Sequence, residues 1–375
     1  MVKLGALPSQ EIKRMMQRGV IAGAGLVNVK PGSLDLTLSP EIYRVEGIFL
    51  PRPGEIVRDT LKDLGAIKHD FVRPLERDVT YLARIKERFC FDYRTYAHCN
   101  PKSSTGRNDV QVRILAEGIS RYDILPAKFR GQIWIAITPK SFPIKIFSGE
   151  TLSQIRFFNK DTTLDEKQLE DSLKKDLLLW DKTGEHSLKS VEIKIKDRDN
   201  SFILTIDLEQ GLDTAGLRAQ AGWECLGDRK ILDFSKINHY APLDFFRPLK
   251  VVGGKINMQR GGFYILHAKE RVLVPPHLAC EMVPMDARSG EFRTHYAGFI
   301  DPGYGWGKKG EGRGRQLVLE IRPFEDLVLR DSQPAAKIKF EKMSELPKIP
   351  YDALSGSNYT FDSATPRLSK HFKVS

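Results

Sequence analysis

The sequence contains few cysteines and lacks long apolar runs. Its 375 residues include 4 cysteines, which are too few and too scattered for a disulfide framework: Cys90, Cys99, Cys225 and Cys280. No CxxC pair occurs, so we expect no structural zinc site. No apolar run approaches the roughly 18 residues that cross a bilayer, and the N-terminus MVKLGALPSQ lacks the apolar core of a secretory signal. We therefore expect a cytoplasmic protein that does not associate with membranes.

Long basic runs and nucleic-acid-binding motifs are also missing. The formal net charge is +11, from 59 Lys plus Arg against 48 Asp plus Glu. These basic residues are spread along the chain, and no RNP-type aromatic motif accompanies them, so we expect no nucleic-acid partner. A solvated basic surface or a polyphosphate ligand would suit such a charge. The length predicts two to three domains.

The chain contains an internal repeat. Tyr81-Leu82 followed by Lys86-Glu87-Arg88 recurs as Tyr264-Ile265 followed by Lys269-Glu270-Arg271, an offset of 264 − 81 = 183. Three more matches follow in the same order at nearly the same offset: Pro101 with Pro284, GQIWIAITP with RQLVLEIRP, and IRF with IKF. One short match could arise by chance, but four in order indicate a duplication.

Both copies show the pattern of β structure. QIWIAI and QLVLEI alternate or run apolar over strand length, and Pro and Gly recur about every ten residues, as in all-β barrels or sandwiches. Helices are predicted over residues 9–21, with a serine cap, and over 164–180. The predicted organisation is a first domain over 1–160, a connecting segment with a helix and a hairpin over 161–240, a second domain over 241–343 and an extended or disordered tail over 344–375.

The two copies differ in their polar motifs. Copy one contains PKSSTGR, which ends at Arg107, whereas copy two has Asp286 opposite the serines and Gly290 opposite the arginine. Copy two contains AGFIDPGYG and then Glu320 in an apolar strand, where copy one has Ala136. Small residues with an arginine fork suit a phosphate ligand, although a capped turn has the same composition.

Glu320 permits two interpretations from the pattern alone. Strand alternation puts it on one face with Val318 and Arg322, which favours an exposed ion pair on a one-sided sheet. The alternative is a partly buried carboxyl with a raised pKa that transfers protons.

Together these motifs resemble the dCTP deaminase and dUTPase superfamily. PKSSTGR, AGFIDPGY and a strand containing LE are similar to its site motifs, and VKPGSLDLTL is similar to its N-terminal signature. In particular, the chain resembles the long bacterial dCTP deaminase-type proteins, in which the domain is duplicated in tandem. It covers most of residues 8–158 and 245–342. The resemblance implies a mainly β fold of two dUTPase-like β-clip barrels with a few peripheral helices, and a homo-oligomer.

The resemblance also implies one composite site with parts from both copies. Glu320 would be the proton shuttle, Ser103 would orient the water or the base, and Arg107 would hold Glu320 ionised or stabilise developing charge. Asp301 would recognise the sugar or order the DPG turn. Further substrate-binding positions would be Lys102, Ser104, Ala297 and Tyr304.

Two other features follow from the resemblance. The opposite pairing, with Ala136 facing Asp286 and Gly290, would be inactive, and the threefold contacts of the family favour a site between chains. Gly298-Phe299 depart from the family pattern, which often has arginine in this segment.

The implied activity is hydrolysis of a cyclic amidine C–N bond, converting dCTP to dUTP and ammonia for pyrimidine deoxynucleotide synthesis. Zinc deaminases use HxE and PCxxC motifs, and neither string occurs here. We therefore expect metal-free chemistry without zinc, with Mg²⁺ only as the companion of the triphosphate. The alternatives are a dUTP diphosphatase or a bifunctional enzyme, with Asp301 activating water at the α-phosphate, and a non-catalytic nucleotide-binding regulator.

Overall fold

The structure, a computed structural model, describes residues 3–193, 195–209, 220–227, 229–294, 298–354 and 366–373. Most of its strands lie in two large sheets, one from each copy of the repeat, so the predicted mainly β fold is confirmed. Across these described ranges, no helix is both long and apolar enough to cross a membrane.

The first copy contributes ten strands, and the large sheet has the central order β6-β8-β4-β2-β10-β5-β7. Its neighbouring strands pair antiparallel, and their inward side chains form an apolar core. The strands are β1 (Ile21–Ala22), β2 (Leu34–Val45), β3 (Ile67–His69), β4 (Thr80–Cys90), β5 (Tyr96–Pro101), β6 (Val110–Ala116), β7 (Ile124–Leu125), β8 (Arg130–Pro139), β9 (Ile144–Lys145) and β10 (Thr151–Phe158).

The second large sheet has the central order β15-β13-β17-β12-β23-β18-β20, and β21 pairs with β17. Its strands and those of two small accessory sheets are β11 (Leu179–Trp180), β12 (Phe202–Asp207), β13 (Gly222–Cys225), β14 (Leu232–Asp233), β15 (Phe246–Pro248), β16 (Lys255–Met258), β17 (Tyr264–Val272), β18 (Leu278–Val283), β19 (Phe292–Thr294), β20 (Phe299–Ile300), β21 (Arg315–Pro323), β22 (Leu327–Arg330) and β23 (Pro334–Lys342).

The α-helices are short: α1 (Ser9–Gln17), α2 (Val57–Asp63), α3 (Ser103–Gly106) and α4 (Glu166–Lys175). Both predicted helices are present but shorter than expected. The serine cap of α1 is wrong, because Pro8 occupies the cap position and makes no side-chain cap bond. The α4 helix begins with a capping box between Asp165 and Gln168. It ends before Leu177, whose φ of 54° is left-handed.

Residues 161–240 are predicted to connect the repeats, but they contribute β11, β12 and β13 to the second sheet. In the first copy the backbone N–H of Thr37 donates to Glu87 (2.9 Å), and in the second that of Thr205 donates to Glu270 (2.7 Å). Strand β12 is therefore the counterpart of β2. The sequence hides this match because the two contacting residues are 50 positions apart in one copy and 65 in the other.

Among the described residues of the predicted hairpin, the pairing is a single bridge between Lys196 and Phe202, with a left-handed Asn200 in the turn. The tail is predicted to be extended or disordered, but residues 366–373 pack against the rest of the protein. There Leu368, His371 and Phe372 are buried, and two of them join the apolar core of the first domain.

Arg156 of the first copy contacts residues of both copies. Its fully buried guanidinium contacts the carboxylates of Asp301 (3.3 Å) and Glu341 (3.0 Å). It also donates to the carbonyl oxygens of Gly32 in the first copy and Cys280 in the second. Burial raises the pKa of Glu341 to about 7, even though Arg156 acts in the opposite direction. Arg156 therefore compensates two buried acids.

We expect Arg156→Met to lower the free energy of unfolding by about 3–5 kcal/mol at pH 8, because it leaves buried carboxyls without a cation. The loss should shrink at pH 5, where Glu341, with its pKa of about 7, is protonated in the folded protein. Urea denaturation at both pH values measures it. The matched control is Lys339→Met, at the equivalent position of copy two; similar, small losses in both variants would contradict the assignment.

Candidate functional site

The serine-arginine motif forms one helical turn between β5 and β6. The N–H of Lys102 and the hydroxyl of Thr105 both donate to the carbonyl oxygen of Leu152 in β10, at 3.0 and 2.8 Å. This holds α3 against the first sheet and directs Arg107, at the end of the turn, into the boundary between the domains. Arg107 is buried there, with 6% of its surface exposed.

Glu320 lies in β21, directly opposite Ile265 of β17. Alternation does place it on the outer face of the second barrel, but the first domain covers that face. Its neighbours Ile265 and Val318 pack into the apolar core of the first domain. Glu320 is consequently only 2% exposed, and the predicted exposed ion pair with Arg322 is wrong; Arg322 pairs with Asp109 instead.

Arg107 and Glu320 meet within a single chain. The distance from Arg107 Nε to Glu320 Oε1 is 3.7 Å, which is an ion-pair contact rather than a close hydrogen bond. The family resemblance favours a site between chains. In the structure the two motifs instead meet inside one chain, because the second domain presents Glu320 directly to the first.

The protonation of Glu320 is governed mainly by burial. Desolvation raises its pKa to about 8, and the charge of Arg107 opposes this shift without cancelling it. Such a carboxyl can accept and release a proton near neutral pH, as a general acid–base group must.

Asp301 of the DPG turn meets the N-terminal signature of the first copy. Ser33 Oγ lies 3.4 Å from both of its carboxylate oxygens, and Arg156 contacts one of them. Gly32 allows a close approach beside this contact, because a Cβ there would lie 3.0 Å from the side chain of Pro302. These contacts favour the role of ordering the DPG turn.

Other predicted residues are placed differently. Lys102 Nζ donates to Asp35 and Thr151 at 2.7 Å each, within the first domain. Ser103 and Ser104 are half-buried on α3. The hydroxyl of Tyr304 donates to the carbonyl oxygen of Gln316, toward the other end of β21 from Glu320 (3.2 Å). Ala297 lies outside the described residues.

The opposite pairing, which is predicted to be inactive, is not brought together within the described part of the chain. Ala136, at the position of Glu320, is buried in a cluster with Val57 and Leu61 of α2. Asp286 instead pairs with Arg288 and Lys337. Helix α2 therefore covers the face of the first sheet that corresponds to the Glu320 face of the second.

Two groups near the site were not found from the sequence. The tail contacts the motif directly: Arg107 Nη1 donates to the carbonyl oxygen of Arg367 (2.9 Å), and Ser369 Oγ donates to Asn108 (2.6 Å). His267 lies on the same face of β17 as Ile265, and burial with the nearby charge of Arg107 lowers its pKa to about 3. No local pattern marks either group.

Two mainly β domains with barrel-like sheets are the architecture of the dUTPase-like class. The family model of the 2'-deoxycytidine 5'-triphosphate deaminase (DCD) N-terminal domain matches residues 3–161, and that of its C-terminal domain matches 172–372. The chain therefore belongs to the 2'-deoxycytidine 5'-triphosphate deaminase family, and its activity is dCTP deamination, a hydrolysis of a C–N bond.

A solved structure agrees with this assignment. The crystal structure of 2'-deoxycytidine 5'-triphosphate deaminase from Agrobacterium tumefaciens is similar, with 32% identity and a TM-score of 0.82, over 92% of this chain and 97% of that one. None of the curated proteins compared by sequence matches the chain.

The raised pKa of Glu320 predicts a pH-dependent gain in stability on its removal. Between its ordinary value of 4.5 and about 8, the folded protein binds more protons than the unfolded chain. Wild-type stability should therefore fall as pH rises through this window. We expect Glu320→Gln to be more stable than wild type at pH 8 and nearly equal at pH 4.

Thermal unfolding across this pH range measures the difference. The control is Glu325→Gln, an exposed glutamate just after β21, which should follow the wild-type curve. A Glu320→Gln protein that is less stable than wild type at pH 8 would contradict the assignment.

Proposed function

We propose that each chain deaminates dCTP at one composite site in which Glu320 transfers the protons. The observation that carries this proposal is the buried contact of Glu320 with Arg107, at 3.7 Å across the two copies. In the reaction a water oxygen adds to C4 of cytosine, and the amino group leaves as ammonia, so that dUTP is formed. Ionised Glu320 accepts a proton from the water and then delivers it to the departing nitrogen.

Arg107 and Ser103 complete the chemistry in this proposal. The guanidinium lies where it can stabilise negative charge on the tetrahedral intermediate, in a site shielded from water by Ile265 and Val318. Ser103, at the start of α3, orients the water or the base. Asp301 acts indirectly, because its contacts with Ser33 and Arg156 fix the DPG turn.

The same contacts distinguish the alternatives. A diphosphatase would need Asp301 to activate water at the α-phosphate, but its carboxylate is engaged by a buried arginine and a serine. A non-catalytic regulator would not require the buried Arg107–Glu320 pair to be kept across the two copies. Both observations favour deamination with dUTP as the product.

Three expectations accompany this proposal. Magnesium would enter with the triphosphate, whose oxygens it binds. The protein would be cytoplasmic. The homo-oligomer that the family resemblance implies also stays a prediction, which sedimentation analysis can test.

We expect Glu320→Gln to lower kcat for dCTP deamination by about 10²–10⁴-fold, because an amide cannot take a proton from water. Binding of dCTP should persist in calorimetry, since the amide keeps the shape of the side chain. In the wild type, kcat/KM should fall as pH drops below about 8, as Glu320 becomes protonated. The control is Glu325→Gln. Near-normal turnover in Glu320→Gln would show that this carboxyl is not the proton carrier.

Incubation with dCTP and Mg²⁺, followed by chromatography, should yield dUTP without dUMP. Turnover should survive a zinc-selective chelator and stop when magnesium is removed. Formation of dUMP would favour the bifunctional alternative, and recovery only on adding zinc would overturn the metal-free chemistry.

A further inference from the structure

A second ion pair crosses the domain contact beside Arg107 and Glu320. Arg322 Nη2 donates to Asp109 Oδ2, and Ser141 Oγ donates to the same carboxylate at 2.5 Å. Asp109 is fully buried, and the side chain of Arg322 is 14% exposed. Asp109 follows Arg107 by two residues, and Arg322 follows Glu320 by two residues. The two pairs therefore join the same two segments.

Asp109 adopts an unusual backbone conformation. Its φ of 53° is in the left-handed region, which residues other than glycine seldom occupy. Its N–H donates to the carbonyl oxygen of Gly106 (2.8 Å), and its own carbonyl oxygen accepts from Lys140 (2.9 Å). Asp109 thus forms the turn that leads from α3 into β6, and this turn fixes the direction of Arg107.

This pair is not repeated in the other copy. The backbone counterpart of Asp109 is Glu291, whose carbonyl oxygen accepts from Phe324 (2.7 Å) as that of Asp109 accepts from Lys140. The counterpart of Arg322, however, is Thr138, whose hydroxyl lies 2.9 Å from that of Thr80, so the cation is missing. Arg107 and Glu320 show the same asymmetry. The Asp109–Arg322 pair therefore occurs only where the composite site occurs.

We propose that Asp109 and Arg322 are positioning residues that set the register of Arg107 against Glu320. In the first segment the positive Arg107 precedes the negative Asp109. In the second segment the order is reversed, because the negative Glu320 precedes the positive Arg322. A slip of two residues would place Arg107 against Arg322, or Asp109 against Glu320, and like charges disfavour both. The inference rests on the proposed function, because it concerns the same site.

The pair also keeps Arg322 away from Glu320. Both side chains lie on the outer face of β21, so an unpaired Arg322 would be the natural partner of its neighbour. Because Arg322 Nη2 donates to Asp109 and its Nη1 donates to the carbonyl oxygen of Gly261, Glu320 retains the looser contact with Arg107. The charged and titratable groups around Glu320 and Arg322 are Arg107 and Asp109 of the first domain, His267 of β17 and Cys225 of β13.

The test compares Asp109→Asn, Arg322→Gln and the double variant. Asparagine tolerates the left-handed conformation, so the turn is kept. Each single variant should lower kcat about 10- to 100-fold with little change in KM, because the reacting groups are misplaced. Asp109→Asn should also move the midpoint of the kcat/KM profile to lower pH by about one unit, because the released Arg322 turns to Glu320. Arg322→Gln should not move that midpoint, and the double variant should be no slower than the slower single variant.

The matched control is Arg315→Gln, which breaks a buried ion pair with Asp352 (2.7 Å) at the other end of the same strand. It should keep the wild-type kcat and pH profile. Wild-type kinetics in Asp109→Asn and Arg322→Gln, with Glu320→Gln inactive, would overturn the inference and leave the proposed function standing. An equal loss of kcat in Arg315→Gln would also overturn the inference, because it would show that the Asp109–Arg322 pair acts only as a general structural contact. A wild-type protein that does not deaminate dCTP would overturn the proposed function itself.

Discussion

The docking of the first domain onto the outer face of β17 and β21 determines the chemistry of this protein. Glu320 on an uncovered barrel would be an ordinary surface carboxylate. Covered by the first domain, it loses water, gains Arg107 as a neighbour and has a pKa of about 8. The contact between the two domains therefore creates the buried carboxyl that we propose as the proton carrier.

The two copies differ in a complementary way. One copy has the arginine motif and the other has the glutamate, and the corresponding positions of the opposite copies make structural contacts. Ala136 packs beneath α2 with Val57 and Leu61, and Asp286 forms ion pairs with Arg288 and Lys337. One chain consequently presents one composite site rather than two equivalent ones.

Local patterns predicted the β class, the repeat and the face on which Glu320 lies, because each depends on neighbours along the chain. They could not show that this face is covered, since the cover comes from a segment some 200 residues away (320 − 107 = 213). For the same reason the ion pair of Arg322 with Asp109 replaced the expected one with Glu320. Strand β12 was missed because the unequal spacings of 50 and 65 residues displaced it from the repeat.

The central claim is that the two halves of the site come from the same chain. Arg107→Ala and Glu320→Ala, each inactive alone, can be unfolded together, refolded as a mixture and assayed for dCTP deamination. Every chain in the mixture then lacks one half of its own site. The structure predicts no activity beyond the sum of the separately refolded variants. Recovery of a substantial fraction of wild-type turnover would mean that the site forms between chains.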